Sequence, residues 1–346
     1  MATRPAFEFG GRTIAAGTRE LVELQVSKRA SPTPINLPVH VLHGAGDGPV
    51  MFLSAAIHGD EINGVEVCRR VVRSIDAVTL AGTLLCAPIV NAYGFIARSR
   101  YLPDRRDLNR AFPGSATGSL AARIAHLFFN EVVRRSRFGI DLHTAAIHRT
   151  NLPQVRSSFS DPNARKLGKA FGTQIMLESP ERSGSLRKAA REIGVEVLVY
   201  EGGEGLRFDE FAISAGVSGT LGTMRAAGML PAGNEAPAQS EMARPALFAN
   251  ASRWVRAPEG GVLNDVKRLG AAVVMGETIG RVASPFDDTL TEIRAPCRGV
   301  IIGRTTSPVV NLGDALYHIA WGEEHGPMPP ARPVAADPVL DEDEIL

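Results

Sequence analysis

The sequence predicts an α/β fold, a sheet of mixed or mostly parallel strands flanked by helices, followed by a small all-β domain. Two observations lead there. Short apolar runs alternate with stretches of helical periodicity up to about residue 230, and beyond residue 252 only short β-like runs separated by glycine and proline remain.

Residues 50–57 form a partly β-branched apolar run between Gly48-Pro49 and His58-Gly59, which reads as a buried strand. Residues 63–74 follow with Val65, Val67, Cys68, Val71 and Val72 at helical spacing, and residues 83–90 are a second apolar run. Strand, helix and strand in that order suggest a parallel crossover unit. Residues 119–135 place Leu120, Ile124, Leu127, Phe128 and Val132 on one stripe, the mark of an amphipathic helix. Residues 138–142 and 195–200 read as further strands, with a helical stretch at 186–193 between them. The division expected is a domain over 1–230, a linker over 231–251 rich in proline and small polar residues, the β domain over 252–322, and an acidic, proline-rich mobile tail over 323–346.

Composition narrows the function. With 38 basic and 37 acidic residues and a net charge of +1, the chain has no overall field to draw nucleic acid or a membrane surface, so neither is expected as a partner. No apolar run is long enough for a membrane span, and charges interrupt the first twenty residues. Cys68, Cys86 and Cys297 fit neither a disulfide framework nor a metal knuckle, and they suggest a reduced, cytoplasmic protein. A homo-oligomer is compatible with this sequence.

Three strand ends carry the chemistry. His58-Gly59-Asp60-Glu61 follows the first strand, Asp141-Leu142-His143 ends another, and Glu201 ends a third. Open α/β sheets gather ligands outside the carboxyl ends of their strands, so these segments should meet. Two histidines and a glutamate with one position left for water make a catalytic zinc set. His58, Glu61 and His143 would hold one Zn2+ per chain, and Glu201 is left as a proton acceptor. Asp141 shares a strand face with His143 and is expected to accept an N–H from a ligand histidine. Singly, each residue has an ordinary structural explanation: a helix-capping pair, a buried hydrogen-bonded pair, the start of a turn. Their joint placement is the argument. His126 and His148 read as packing or surface histidines. The run Arg98 to Arg110 is dense in arginine without an apolar period, which suggests a loop; Asp107 and Asn109 can hold a tight turn there, and a fixed arginine would present a fork to a carboxylate.

His58-Gly-Asp-Glu61, Asp107-Leu-Asn-Arg110, Asp141-Leu-His143 and Glu201 together resemble the succinylglutamate desuccinylase and aspartoacylase family, grouped with the zinc carboxypeptidases, over roughly residues 48–230. The resemblance implies a zinc-carboxypeptidase-like fold and hydrolysis of the amide bond of a small N-acyl amino acid. By it, His58, Glu61 and His143 bind zinc and Glu201 activates water. Arg100, or Arg98 two residues earlier, polarises the scissile carbonyl, and Asn109 and Arg110 grip the substrate carboxylate. Arg187 and Arg191 are the candidates for contacting the rest of the substrate, Arg187 being preferred. The alternative is a carboxypeptidase acting on a short peptide or cell-wall fragment. The family's small β domain matches residues 252–322, whose barrel-sandwich-like pattern also looks like a biotinyl or lipoyl carrier. No lysine follows Lys267, so a structural or gating role is expected instead.

Overall fold

A computed structural model describes residues 4–28, 34–232, 247–264 and 267–322. Most of the expected linker and all of the expected tail, residues 323–346, lie outside the described residues.

The strand pattern closes into one large mixed sheet. Its centre is Gly46–Ala55, with Ala81–Ala87 parallel on one side and Phe138–Ala145 parallel on the other. Glu196–Glu204 continues parallel to Phe138–Ala145, and Arg149–Ser157 then runs antiparallel to Glu196–Glu204. On the far side, Pro34–His43 and Thr18–Lys28 add two antiparallel strands.

Because successive strand residues point to opposite faces, this sheet feeds two cores. Met51, Leu53, Ile140, Leu142, Leu198 and Tyr200 enter one, with Val67, Cys68 and Val71 of the helix Asn63–Ser74 and Ile213 and Met224 of the helix Glu210–Ala226. Phe52, Leu85 and Val197 enter the other, beneath Ile124 and Phe128 of the helix Leu120–Phe128 and Leu186 and Ala189 of the helix Leu186–Glu192. The first helix has the bounds its periodicity indicates, with Glu66 in its first turn and Arg73 in its last, both complementing the helix dipole. The long helix expected over 119–135 instead ends at Phe128 and continues as a π turn over Phe129–Val133.

The C-terminal region is all β. Leu290–Arg294, Thr278–Ala283, Gly261–Asn264 and Val309–Val310 form a four-stranded sheet around Ile279, Val282, Ile293 and Tyr317. Gly299–Thr305, Ala315–Trp321 and Ala251–Arg256 extend the main sheet, since Gly303 pairs with Asn151 and Thr305 with Arg149. Within the expected linker, Leu247–Ala249 is a strand parallel to Ile175–Glu178.

Candidate active site

The alternation that sends Ile140 and Leu142 into one core turns Asp141 and His143 to the opposite face, at the carboxyl end of their strand. Glu201 is the register partner of His143 on the neighbouring strand, so both side chains stand side by side on that face. A register irregularity between Glu201 and Gly203 bends the strand just past Glu201. Asn63 holds that bend, its Nδ2 donating to the Gly202 carbonyl at 3.2 Å and its Oδ1 accepting from the Asp209 N–H at 3.1 Å.

His58 arrives differently. The strand Gly46–Ala55 is followed by Ala56, whose φ of 49° is unusual for a residue with a side chain and turns the chain sharply. The Asn91 N–H donates to the Ala56 carbonyl at 2.9 Å and its Nδ2 to Ile57, while its Oδ1 accepts from Gly94 and caps the helix Ala92–Ala97. The segment bearing His58 and the helix leading to Arg100 are thus fastened to one asparagine.

His58, Glu61 and His143 are buried, and one ligand atom from each lies within 4.8 Å of the others. Nδ1 of His58 is 2.6 Å from Oε1 of Glu61, and Nδ1 of His143 is 2.7 Å from its Oε2. Each imidazole is backed on its Nε2 side by a carboxylate: His143 by Asp141 at 2.8 Å and His58 by Asp107 at 3.1 Å. Ser54 Oγ donates to the other oxygen of Asp141 at 2.7 Å. Arg100 spans the group, donating to Asp107 at 3.0 Å and to Glu61 at 3.4 Å.

Electrostatics follow from this alternation of charge. Burial alone would raise the Glu61 carboxyl, but His58 and His143 outweigh it and hold Glu61 well below the usual carboxylate range. Burial likewise opposes ionisation of Asp107, and His58 and Arg100 reverse that. Burial would lower both imidazoles, and Arg100 adds to this at His58. Glu61 with Asp107 at His58, and Asp141 with Glu61 at His143, more than compensate and hold both above the ordinary imidazole value. Two imidazoles and a carboxylate converging under buried carboxylate partners are a donor set that could hold a metal ion, the outer carboxylates fixing ring orientation and tautomer.

One pocket is lined by His58, Glu61, Arg100, Asn109, Arg110, Asp141, His143, Arg187 and Glu201, and of the candidates named from the sequence it leaves out Arg98 and Arg191. Arg98 is exposed at the end of the helix Ala92–Ala97, while Arg100 is buried in the site. Asp107 Oδ1 accepts from the Asn109 N–H at 2.7 Å, forming the turn Leu108–Arg110. Asn109 Oδ1 in turn accepts from the Leu186 N–H at 2.9 Å, joining that turn to the start of the helix Leu186–Glu192. At the second residue of this helix, Arg187 is buried in the pocket wall with its Nη2 on the carbonyls of Ser179 and Pro180. Arg191 lies outside the pocket, half-exposed and paired with Glu181. His126 contacts Asn130, and His148 is exposed.

Sequence reasoning passed over three residues. Asp107 was legible only as a turn former, and its contact with His58 spans a sequence separation of 49 residues. Arg156 and Asn151 lie on the strand Arg149–Ser157, with Arg156 Nη1 3.5 Å from Glu201 Oε1 and Asn151 Nδ2 donating to Glu201 Oε2 at 3.2 Å. That strand has no apolar alternation to reveal it, and it contains Pro153.

Known proteins resemble this chain in both sequence and fold. Residues 47–227 match the succinylglutamate desuccinylase/aspartoacylase catalytic domain. The chain is 27% identical over 299 residues to the N-alpha-acetyl-L-2,4-diaminobutyric acid deacetylase of Halomonas elongata, covering 83% of this chain and 86% of that protein. It is 30% identical over 182 residues to a succinylglutamate desuccinylase of Burkholderia pseudomallei, covering 46% and 50%. Among solved structures, the product-bound ectoine utilization protein EutE (DoeB) of Ruegeria pomeroyi shares the fold with a TM-score of 0.77, at 23% identity over 88% of this chain and 95% of that one. A succinylglutamate desuccinylase/aspartoacylase of Rhodobacter sphaeroides does so with a TM-score of 0.77 at 22% identity, covering 87% and 95%. With residues 47–227, more than half of its length, matched by the catalytic-domain model, the chain belongs to the succinylglutamate desuccinylase/aspartoacylase family.

Proposed function

We propose that the protein is a zinc-dependent amidohydrolase that cleaves a small N-acyl amino acid into a carboxylic acid and a free amino acid, with the chemistry of a zinc carboxypeptidase-like site. The observation that carries this reading is the convergence of His58, Glu61 and His143 beside Glu201 in one pocket. Bound by those three residues, zinc would supply a Lewis acid that lowers the pKa of a water toward about 7 and polarises an amide carbonyl.

The protein's own groups do the rest. Glu201 takes a proton from the attacking water and returns it to the departing nitrogen, so one water is consumed and no other reactant is needed. Arg100, held in place by Asp107 and Glu61, offers its guanidinium to the carbonyl oxygen as negative charge develops there. Asn109 has its Oδ1 committed to Leu186, which leaves its amide nitrogen, with Arg110, to donate to a substrate carboxylate. Arg187 keeps Nη1 buried without a hydrogen-bond partner among the described residues, a donor suited to a polar group on the substrate. The deacetylase and desuccinylase names carried by the relatives support a small N-acyl amino acid as substrate.

Zinc-loaded protein should hydrolyse at least one member of a panel of N-acetyl and N-succinyl amino acids faster than short peptides. Glu201→Gln should lower kcat by about 10² to 10⁴ while the metal stays bound. An unchanged rate in Glu201→Gln would contradict the mechanism, and preferential cleavage of peptides would favour a carboxypeptidase.

A further inference from the structure

We infer that Asn151 is the positioning residue for Glu201, and that the Gly299–Thr305 strand of the C-terminal β region holds Asn151 in that role. This rests on the reading of Glu201 as the general base.

Asn151 is 2% exposed and its Nδ2 donates to Glu201 Oε2 at 3.2 Å. A carboxylate that must take a proton from one direction needs its oxygens fixed, and a hydrogen bond from a buried amide fixes one of them. On the other side, Arg156 Nη1 lies 3.5 Å from Oε1. Glu201 is therefore approached from the Arg149–Ser157 strand at both oxygens.

The backbone around Asn151 is arranged to admit its side chain. Its register partner in the strand Glu196–Glu204 is Gly203, and its partner in the strand Gly299–Thr305 is Gly303, so a glycine flanks it on either side. A Cβ placed on Gly303 would stand 2.8 Å from Asn151 Oδ1 and 3.2 Å from the His318 Cβ. His318 is buried and stacked on Trp254, with ring centroids 4.7 Å apart and planes 11° from parallel, so it is poorly placed to retreat. The Asn151 amide, at the end of a side chain, is what must move. A single methyl on the C-terminal strand would thus turn the amide away from Glu201 without touching the pocket, since Gly303 is not among its lining residues. This gives the β region a part in the chemistry through the shared sheet, beyond framing an entrance.

The test uses the zinc-loaded full chain and whichever N-acetyl or N-succinyl amino acid it hydrolyses fastest. Asn151→Ala and Gly303→Ala should each lower kcat about 10- to 100-fold, with KM changed by less than about twofold and zinc content and melting temperature kept. Combined with Glu201→Gln, neither should lower the residual rate further, because the group they position is gone. A wild-type kcat in Asn151→Ala would overturn the inference, as would the same fold-loss in the Glu201→Gln background, which would show an effect independent of Glu201. Full activity of Glu201→Gln alone would instead overturn the functional reading beneath it.

Discussion

Gly59 sits between the first proposed metal ligand and the rest of its motif, and its replacement by alanine tests whether backbone packing fixes that ligand. A Cβ at this position would lie 1.9 Å from the carbonyl carbon of Gly94, 2.2 Å from the Phe95 nitrogen and 2.4 Å from the Gly94 oxygen. The first of these is about 1.5 Å short of ordinary contact, and all three atoms are backbone that cannot swing aside. Either the segment bearing His58 or the helix Ala92–Ala97 must shift, and Asn91 ties one to the other through Ile57 and Gly94. Overpacking of this kind costs about 1 to 3 kcal/mol, and a clash confined to backbone belongs at the upper end. At about 1.4 °C per kcal/mol for a chain of this size, the melting temperature should fall by about 4 °C. His58 and Arg100 are both carried by the displaced segments, so zinc affinity should fall as well. Thermal melting with and without zinc, alongside a competitive zinc titration, measures both. If Gly59→Ala melts and binds zinc like the wild type, close backbone approach is not what places His58.

Two further predictions concern the same centre. Asp107→Asn and Asp141→Asn keep the shape but remove the charge behind His58 and His143, and each should weaken zinc binding about 10- to 100-fold in a competition with a chromogenic chelator. Equal affinity in both variants would mean that the outer carboxylates do not orient the rings. In the metal-free protein, His58 and His143 are held protonated above the ordinary imidazole value, so zinc must displace protons to bind. Apparent affinity should therefore rise with pH through and beyond the usual imidazole range. Calorimetry in buffers of different ionisation enthalpy should show proton release, and the absence of release would contradict the charge pattern described.

The strand ends bearing His143 and Glu201 were legible because their residues alternate between a buried apolar core and a polar pocket, and the helix Asn63–Ser74 because its apolar stripe lies opposite a charged outer face. Local periodicity reports such elements directly. The N-terminal strand Thr18–Lys28 also carries a local signal, since Val22, Leu24 and Val26 alternate with Glu23 and Gln25, but the elements assigned from the sequence begin only at residue 50. The strand Arg149–Ser157, by contrast, was hidden. Its site-facing residues include Asn151 and Arg156, and they are buried because Glu201 and the pocket make a polar interior, which hydropathy cannot anticipate. Asp107 shows the limit most clearly. Its turn-forming role is local and readable, whereas its contact with His58 is created only when the turn is docked through Asn109 and Leu186. The choice between Arg98 and Arg100 likewise depended on which of them the left-handed residue at position 98 would leave facing inward.

The proposed metal centre stands or falls on metal analysis of purified, zinc-reconstituted protein. One zinc ion per chain should be found in the wild type and in Glu201→Gln, with loss of stoichiometric zinc in His58→Ala and His143→Ala. Stoichiometric zinc surviving in both histidine variants, or none bound by the wild type, would contradict it.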